Sequence, residues 1–333
     1  MSTINVDIVN PQLGTSVVVS GVEIDAPITS SIAIGANAMG ASTLGDNAVV
    51  IGDNALQAAP GIAKSVVIGS RAMQNSLVGT SFSVAVGYDA MRGSNSTRAS
   101  NGSVAVGYQA LFNSNSLSGG NVAVGKDTLL SLANASSNTA IGTEAGKAVT
   151  TGNSNILVGA LAGSALTTGN GNVFIGLASA SFNSGDIFTG SNNIAIGSSS
   201  MPSDLTVNNE ITLGNSDHTI LRCAVTSITS LSDARDKKEV KELGAGLDFV
   251  KGLKPVEFVW DDRDESGKHN IKDFGFIAQD LKKSQEDAKL AETLKLVYEE
   301  NAEKLEASYG KLVPILVKAI QELSHEIEIL KNK

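Results

Sequence analysis

The stretch Ser103-Val104-Ala105-Val106-Gly107, answered by Asn121-Val122-Ala123-Val124-Gly125, decides how this chain is read. Working outward from it in both directions, a glycine ends a short apolar run at Gly35, Gly52, Gly69, Gly87, Gly107, Gly125, Gly142, Gly159, Gly176, Gly197 and Gly214. The intervals are roughly 17 to 18 residues, slightly longer before Gly107 and Gly197. Other copies read Ser31-Ile32-Ala33-Ile34, Ser65-Val66-Val67-Ile68, Ser83-Val84-Ala85-Val86, Asn138-Thr139-Ala140-Ile141, Asn155-Ile156-Leu157-Val158, Asn172-Val173-Phe174-Ile175 and Asn193-Ile194-Ala195-Ile196. Self-similarity at one fixed period is the signature of a stacked repeat architecture.

The residues three and one before the glycine are β-branched in almost every copy, so they share one face of a short strand. The residue between them, most often alanine, points to the opposite face, where something approaches closely. Glycine then permits a backbone turn that other residues resist. Three residues later a second alanine recurs (Ala38, Ala55, Ala72, Ala90, Ala110, Ala145, Ala162), often followed by Met or Leu (Met39, Leu56, Met73, Met91, Leu111), with Leu129 filling that place in another copy. This pattern predicts a second short strand per copy, and a polar loop to return the chain. One unit cannot bury its own apolar face, whereas stacked units can. Eleven of them at about 4.8 Å each give a shaft of roughly 50 Å. One strand face is expected to line the interior and the alanine-rich face to meet other subunits. The longer loops, Arg92 to Asn101 and Ser181 to Asn192, are places for surface contacts.

Composition changes abruptly near residue 230. The preceding residues carry about 19 charged side chains and the last hundred about 40. This divides the chain into an N-terminal attachment or cap segment (1–30), a repetitive shaft (31–230) and a charged C-terminal domain (231–333). Within the first segment Val17-Val18-Val19 and Val22-Glu23-Ile24 read as short strands. A net charge of -9 offers no basic face to nucleic acid. The single cysteine, Cys223, excludes an intrachain disulfide and fits a reducing compartment. The opening Met-Ser-Thr-Ile-Asn-Val-Asp has no basic or apolar signal region, and no uncharged apolar run reaches membrane-spanning length. The expectation is assembly in the cytoplasm without membrane insertion.

The motif Ser/Asn-Val-Ala-Val/Ile-Gly resembles the head repeats of trimeric autotransporter adhesins and similar repeats in phage fibres. The resemblance covers about residues 31–215 and implies a trimeric, left-handed parallel β-roll.

A different text begins with Leu231-Ser232-Asp233-Ala234-Arg235-Asp236-Lys237-Lys238-Glu239-Val240. It continues through Gly246-Leu247, Leu253-Lys254-Pro255-Val256-Glu257-Phe258, Gly275-Phe276-Ile277-Ala278-Gln279-Asp280-Leu281 and the run from Lys311 to Leu323. These motifs, in this order over residues 231–333, resemble the C-terminal intramolecular chaperone domain of endosialidases, phage tailspikes and tail fibres. The resemblance implies a domain that trimerises first, guides folding of the shaft and cuts itself off with a serine and a lysine. The matching residues are Ser232 and Lys237, with the scissile bond at Leu231–Ser232. Serine is a poor nucleophile until a base takes its proton, and a lysine serves as that base only where burial lowers its pKa. On an extended strand two residues five apart face opposite ways, so a turn or a neighbouring subunit must bring the pair together. Asp233 and Arg235 belong to the same opening motif, with capping, ion-pair or catalytic roles open to them.

His269 falls in a polar stretch that reads as a hairpin loop, and His218 and His325 are isolated. No cluster has metal-ligand spacing and no cofactor is expected. Residues 281–309 are charged and helix-prone. From Val313 the apolar residues Leu316, Ile320, Leu323, Ile327 and Leu330 follow at alternating spacings of three and four, a coiled-coil seam. With the β-branched residues at a, dimers are favoured; the reverse assignment favours higher order. Trimerisation therefore rests on the resemblance, and a packed helical hairpin is the alternative.

The fold class expected is mainly β: a trimeric parallel β-roll or β-solenoid shaft followed by a small α+β chaperone domain with a C-terminal coiled-coil-like helix. The function expected is a structural and adhesive homotrimeric phage fibre. It partners itself, other virion proteins through the N-terminal segment, and a host surface glycan or receptor. A glycan-degrading enzyme needs paired carboxylates in a cleft, and the shaft has few; activity is at most one self-cleavage per chain. The missing signal peptide and anchor argue against the alternative, a bacterial or prophage-encoded trimeric surface adhesin. A fibre that keeps its chaperone uncleaved is a further alternative.

Overall fold

The computed structural model describes residues 32–39, 48–58, 64–75, 82–93, 102–113, 119–183, 185–218, 220–223, 232–261, 270–299, 301 and 303–333. The strands expected at Val17–Val19 and Val22–Ile24 lie outside these residues, as do Leu231 and His269. The chain divides into two compact units, Met1–Asn215 and Ser216–Lys333.

The first unit is a parallel β-solenoid. Its strands are Ile32–Ile34 (β1), Val49–Ile51 (β2), Val66–Ile68 (β3), Val84–Val86 (β4), Val104–Val106 (β5), Val122–Val124 (β6), Thr139–Ile141 (β7), Ile156–Val158 (β8), Val173–Ile175 (β9), Ile194–Ile196 (β10) and Ile211–Leu213 (β11). They form one sheet in sequence order, and the register never slips: Ala105 lies beside Ala123, Ala123 beside Ala140, and Leu157 beside Phe174. Each glycine after a strand holds φ between +131° and +139° from Gly35 to Gly197. A Cβ on Gly142 would come within 2.4 Å of the Gly159 carbonyl oxygen. The turns are therefore stacked backbone to backbone at this column, which only glycine allows.

The strand faces are the reverse of those expected. The middle residues Val50, Val67, Ala85, Ala105, Ala123, Ala140, Leu157, Phe174 and Ala195 are fully buried and line the interior. The β-branched residues on either side are half-buried or exposed and face outward. The reason is the thickness of the solenoid. Leu56, Met73, Met91, Leu111 and Leu129, all buried, fill the interior from the segment after each glycine, so alanine opposite them leaves the needed room. Where the strand carries Leu157 the compensation is visible. A Cβ on Gly146 or Gly163 would meet Leu157 methyl carbons at 2.6 and 2.7 Å.

The second segment of each copy is also not a strand. In the copies from Gly35 to Gly176 it is a turn in which the second and fourth residues after the glycine are left-handed, as in Asn54 and Leu56, Asp89 and Met91, and Asp127 and Leu129. This alternation flips successive peptide planes. Asn54 N–H donates to Ala36 O of the preceding turn, whereas Leu56 N–H donates to Ala72 O of the next. A left-handed leucine costs about 1–2 kcal/mol, and burial of its side chain returns about 1.5–3 kcal/mol. The conformation is sustained where the side chain points inward.

The serine or asparagine that precedes each strand from β3 to β10 is buried too. Asn121, Asn138, Asn155, Asn172 and Asn193 form a ladder. Asn138 Oδ1 accepts from Asn155 N–H at 2.9 Å and from Asn155 Nδ2 at 3.0 Å, while Asn155 Nδ2 also donates to Gly169 O at 2.9 Å. The loop from Ser181 to Asn192 contributes to the core rather than only protruding. Phe188 is fully buried, bridges to Leu166 and meets Phe174 edge-on with ring centroids 5.7 Å apart.

The second unit contains helices Leu247–Lys251 (α1), Ala278–Asp287 (α2), Ala291–Leu294 (α3) and Leu312–Lys331 (α4). An antiparallel pair, Val256–Val259 (β12) with Lys272–Gly275 (β13), brackets the expected hairpin loop. The charged stretch expected to be helical is interrupted: Val297–Tyr298 (β14) and Glu306–Ala307 (β15) pair antiparallel. The core is small, with Ala245, Leu294, Leu296, Leu312 and Ile315 buried at its centre. Glu322 of α4 accepts from Leu247 N–H at 2.6 Å. Lys318 donates to Glu242 at 3.1 Å and to the Leu243 carbonyl.

Candidate functional site

The chain from Ser232 enters a single turn of 3₁₀-helix at Ala234–Asp236. Asp233 caps it, its carboxylate accepting from Arg235 N–H at 2.9 Å, the use to which an aspartate at a helix start is suited. Asp236 N–H donates to Asp233 O and Lys237 N–H to Ala234 O, both at 3.2 Å. The chain then leaves in an extended conformation at Lys237.

This turn brings the two sequence-predicted residues together. Lys237 Nζ donates to Ser232 Oγ at 2.5 Å and to the Ser232 carbonyl at 3.1 Å. A turn, one of the two routes the sequence left open, thus suffices within one chain. Ser232 and Lys237 are both exposed in that chain. Leu231, on the other side of the expected scissile bond, lies outside the described residues.

Asp233 both caps the turn and pairs with Arg235. Arg235 Nε lies 3.0 and 3.1 Å from the two Asp233 oxygens, and Nη2 reaches Oδ2 at 2.6 Å. The bond from the Arg235 side chain, reinforced by its N–H, holds the Asp233 carboxyl below the usual carboxylate range. The carboxylate in turn raises the guanidinium.

Among the described residues no three His, Cys, Asp or Glu side chains group as metal ligands. A cleft of about 440 Å³ is lined by Lys295, Val297, Tyr298, Glu299, Ser308 and Lys311. Two of its charged groups are engaged within the fold, Lys311 with the Lys295 carbonyl at 3.0 Å and Glu299 with Lys282 at 2.6 Å. Among the described residues no helix is long and apolar enough to cross a membrane.

The expected coiled-coil seam lies on α4, and its residues face outward. Val313, Ile320 and Leu330 are 58, 66 and 69% exposed. Leu312, Ile315 and Ala319 occupy the adjoining, buried face. Sequence reasoning missed two structural elements that support these surfaces: the asparagine ladder and the Glu322 clamp on Leu247. The first was signalled by the Ser/Asn column before most of the strands. The second had one trace, Gly246, where a Cβ would collide with the Glu322 carboxylate.

Residues 232–290 match the family described as chaperone of endosialidase. The match spans the 3₁₀ turn, α1, the β12–β13 pair and α2, and covers neither the repeats nor α4. No curated protein and no solved structure matches the chain.

Proposed function

We propose that the chain is a homotrimeric phage fibre, a β-solenoid shaft whose C-terminal part, similar to the chaperone of endosialidase over residues 232–290, drives trimerisation and folding and then cuts itself free. The observation that carries this reading is the apolar surface a lone chain leaves open in both units. The shaft presents paired columns of outward valines and isoleucines along its length, with Ile141, Ile156 and Ile196 exposed. The second unit leaves the α4 seam and Phe274 (79% exposed) uncovered. Contiguous apolar faces of this kind mark interfaces, and copies of the same chain would meet them in register. The residues outside the solenoid repeats at 1–30 would attach to the virion, the shaft would run over 31–230 as in the adhesin-like repeats, and 231–333 would be the chaperone. Contact with a host glycan or receptor would fall on the loops and on the exposed, parallel-stacked Tyr88 and Tyr108, whose rings lie 5.7 Å apart.

The need for a chaperone is physical. Near-identical parallel turns can pair out of register within or between chains, and clamping three chains at one end raises the effective concentration of the correct alignment.

The 2.5 Å contact between Lys237 and Ser232 supports the cleavage. Ser232 Oγ gives its proton to the neutral Lys237 amine and attacks the Leu231 carbonyl carbon through a five-membered ring. The Leu231–Ser232 C–N bond breaks as the nitrogen takes the proton, leaving an ester on Oγ and a free α-amine. Water then hydrolyses the ester, restoring the hydroxyl and releasing a Leu231 carboxylate. Because a buried lysine loses its proton more readily, covering of this exposed turn by other subunits would tie cleavage to assembly.

The deciding test is a denaturing gel of freshly expressed full chain beside Ser232→Ala, with light scattering for mass. Splitting of the wild type at Leu231–Ser232 and an intact Ser232→Ala trimer is the expected result. Two intact chains would remove self-cleavage and leave residues 232–333 as a permanent tip.

A further inference from the structure

The contact between Lys237 and Ser232 depends on a feature that touches neither reacting atom. Fully extended, five residues would carry Lys237 roughly 16 Å from Ser232 and onto the opposite face. A single 3₁₀ turn closes that distance, but three residues with two internal hydrogen bonds make a marginal element by themselves. The Asp233 carboxylate supplies what is missing. It accepts from Arg235 N–H at 2.9 Å and grips the same residue's guanidinium through Nε and Nη2. An isolated surface ion pair contributes little. Here, however, the bidentate pairing and the cap share one carboxylate, and the three residues they fix, Asp233 to Arg235, stand directly between Ser232 and Lys237.

We propose that Asp233 and Arg235 are positioning residues for self-cleavage: their clasp closes the turn that delivers the Lys237 amine to the Ser232 hydroxyl. This rests on the cleavage reading above. The clasp in turn lowers the Asp233 pKa, the Arg235 side chain contributing most, as befits a carboxylate held in its ionised form by its partner.

The test is a time course of cleavage of the full chain made by cell-free synthesis, for wild type, Asp233→Ala, Asp233→Asn and Arg235→Ala. Trimer mass is followed in parallel by light scattering. Asp233→Ala is expected to slow cleavage about tenfold, with the trimer intact. Asp233→Asn, whose amide oxygen can still cap Arg235 N–H, should recover part of the rate, and Arg235→Ala should lose about threefold. The pH–rate profile of Asp233→Asn should keep its midpoint with a lower plateau. Wild-type rates in both alanine variants would overturn the proposal. So would cleavage lost only in step with the trimer, which would make the clasp a folding element, or a moved midpoint, which would make Asp233 a proton-transfer group. A wild-type chain that stays whole would instead refute the cleavage reading itself, and the positioning role with it.

Discussion

The shaft and the C-terminal unit solve the problem of burial in opposite ways. In the shaft each turn finds its partners one turn away: the strand-middle column is buried, the asparagines satisfy one another, and the backbone of every turn bonds to those on either side. Stability is then a sum of nearest-neighbour terms. The C-terminal unit has a small core and leaves Phe274, Val259 and the whole α4 seam in solvent. Its sequence specifies a surface more fully than an interior. The difference teaches that repetition lets one region bury its interior lengthwise, while the other leaves much of its apolar side-chain surface in solvent.

The largest effect that would break this contrast is in assembly. Leu316→Asp with Ile320→Asp alters only exposed positions, so the fold of the unit should survive while trimer is lost entirely, read as a fall to monomer mass by light scattering. A stable trimer would show that the seam is not an interface. Next comes backbone crowding. Gly142→Ala should destabilise the shaft by about 3 kcal/mol, because its Cβ would meet the Gly159 carbonyl at 2.4 Å. Gly310→Ala in the C-terminal unit, where nothing lies within 4 Å, should change stability by less than about 0.5 kcal/mol. Paired thermal melts compare the two. Asn155→Ala should cost about 2–3 kcal/mol by stranding Asn172 N–H and the Gly169 carbonyl; an unchanged melt would mean that the ladder follows the turns rather than holding them. The smallest effect is local and acid-dependent. The folded-state pKa of Asp233 lies below its ordinary value of 3.8, so the clasp is fully present above that pH and is lost as pH falls through the depressed pKa. The Arg235 amide resonance should therefore stay fixed down to about pH 4 and move only below it.

The repeat was legible because translation along an axis forces the same residue types into the same place, and Gly35 to Gly214 mark it without ambiguity. Which strand face is inside was not. Apolar residues occupy both faces of buried parallel strands, and only the opposing wall of Leu56, Met73 and Leu111 decides that alanine must face it. That wall was read as a strand because the pattern of Ala followed by Met or Leu reports burial, not backbone angles; the asparagines and aspartates two residues after the glycine, as at Asn54 and Asp89, were its faint trace of left-handed turns. At the candidate site Ser232 and Lys237 were found through resemblance, since a serine and a lysine five apart signify nothing by spacing. The turn that unites them was foreshadowed by Asp233, a residue suited to capping. The β14–β15 pair left no such trace within its charged surroundings.

The unslipping register of the solenoid makes its length a free variable. Since each turn offers its neighbours nearly the same glycine, strand and buried polar group, a duplicated or deleted turn would change reach by about 4.8 Å while rebuilding similar contacts at the splice. A shaft of this kind can be lengthened over generations by copying itself. The exceptions are the places where turns have become individual, Leu157 nested against Gly146 and Gly163, and Phe174 against Phe188. There a splice would leave a hole or a collision, so those turns are the ones that inheritance has to keep in order.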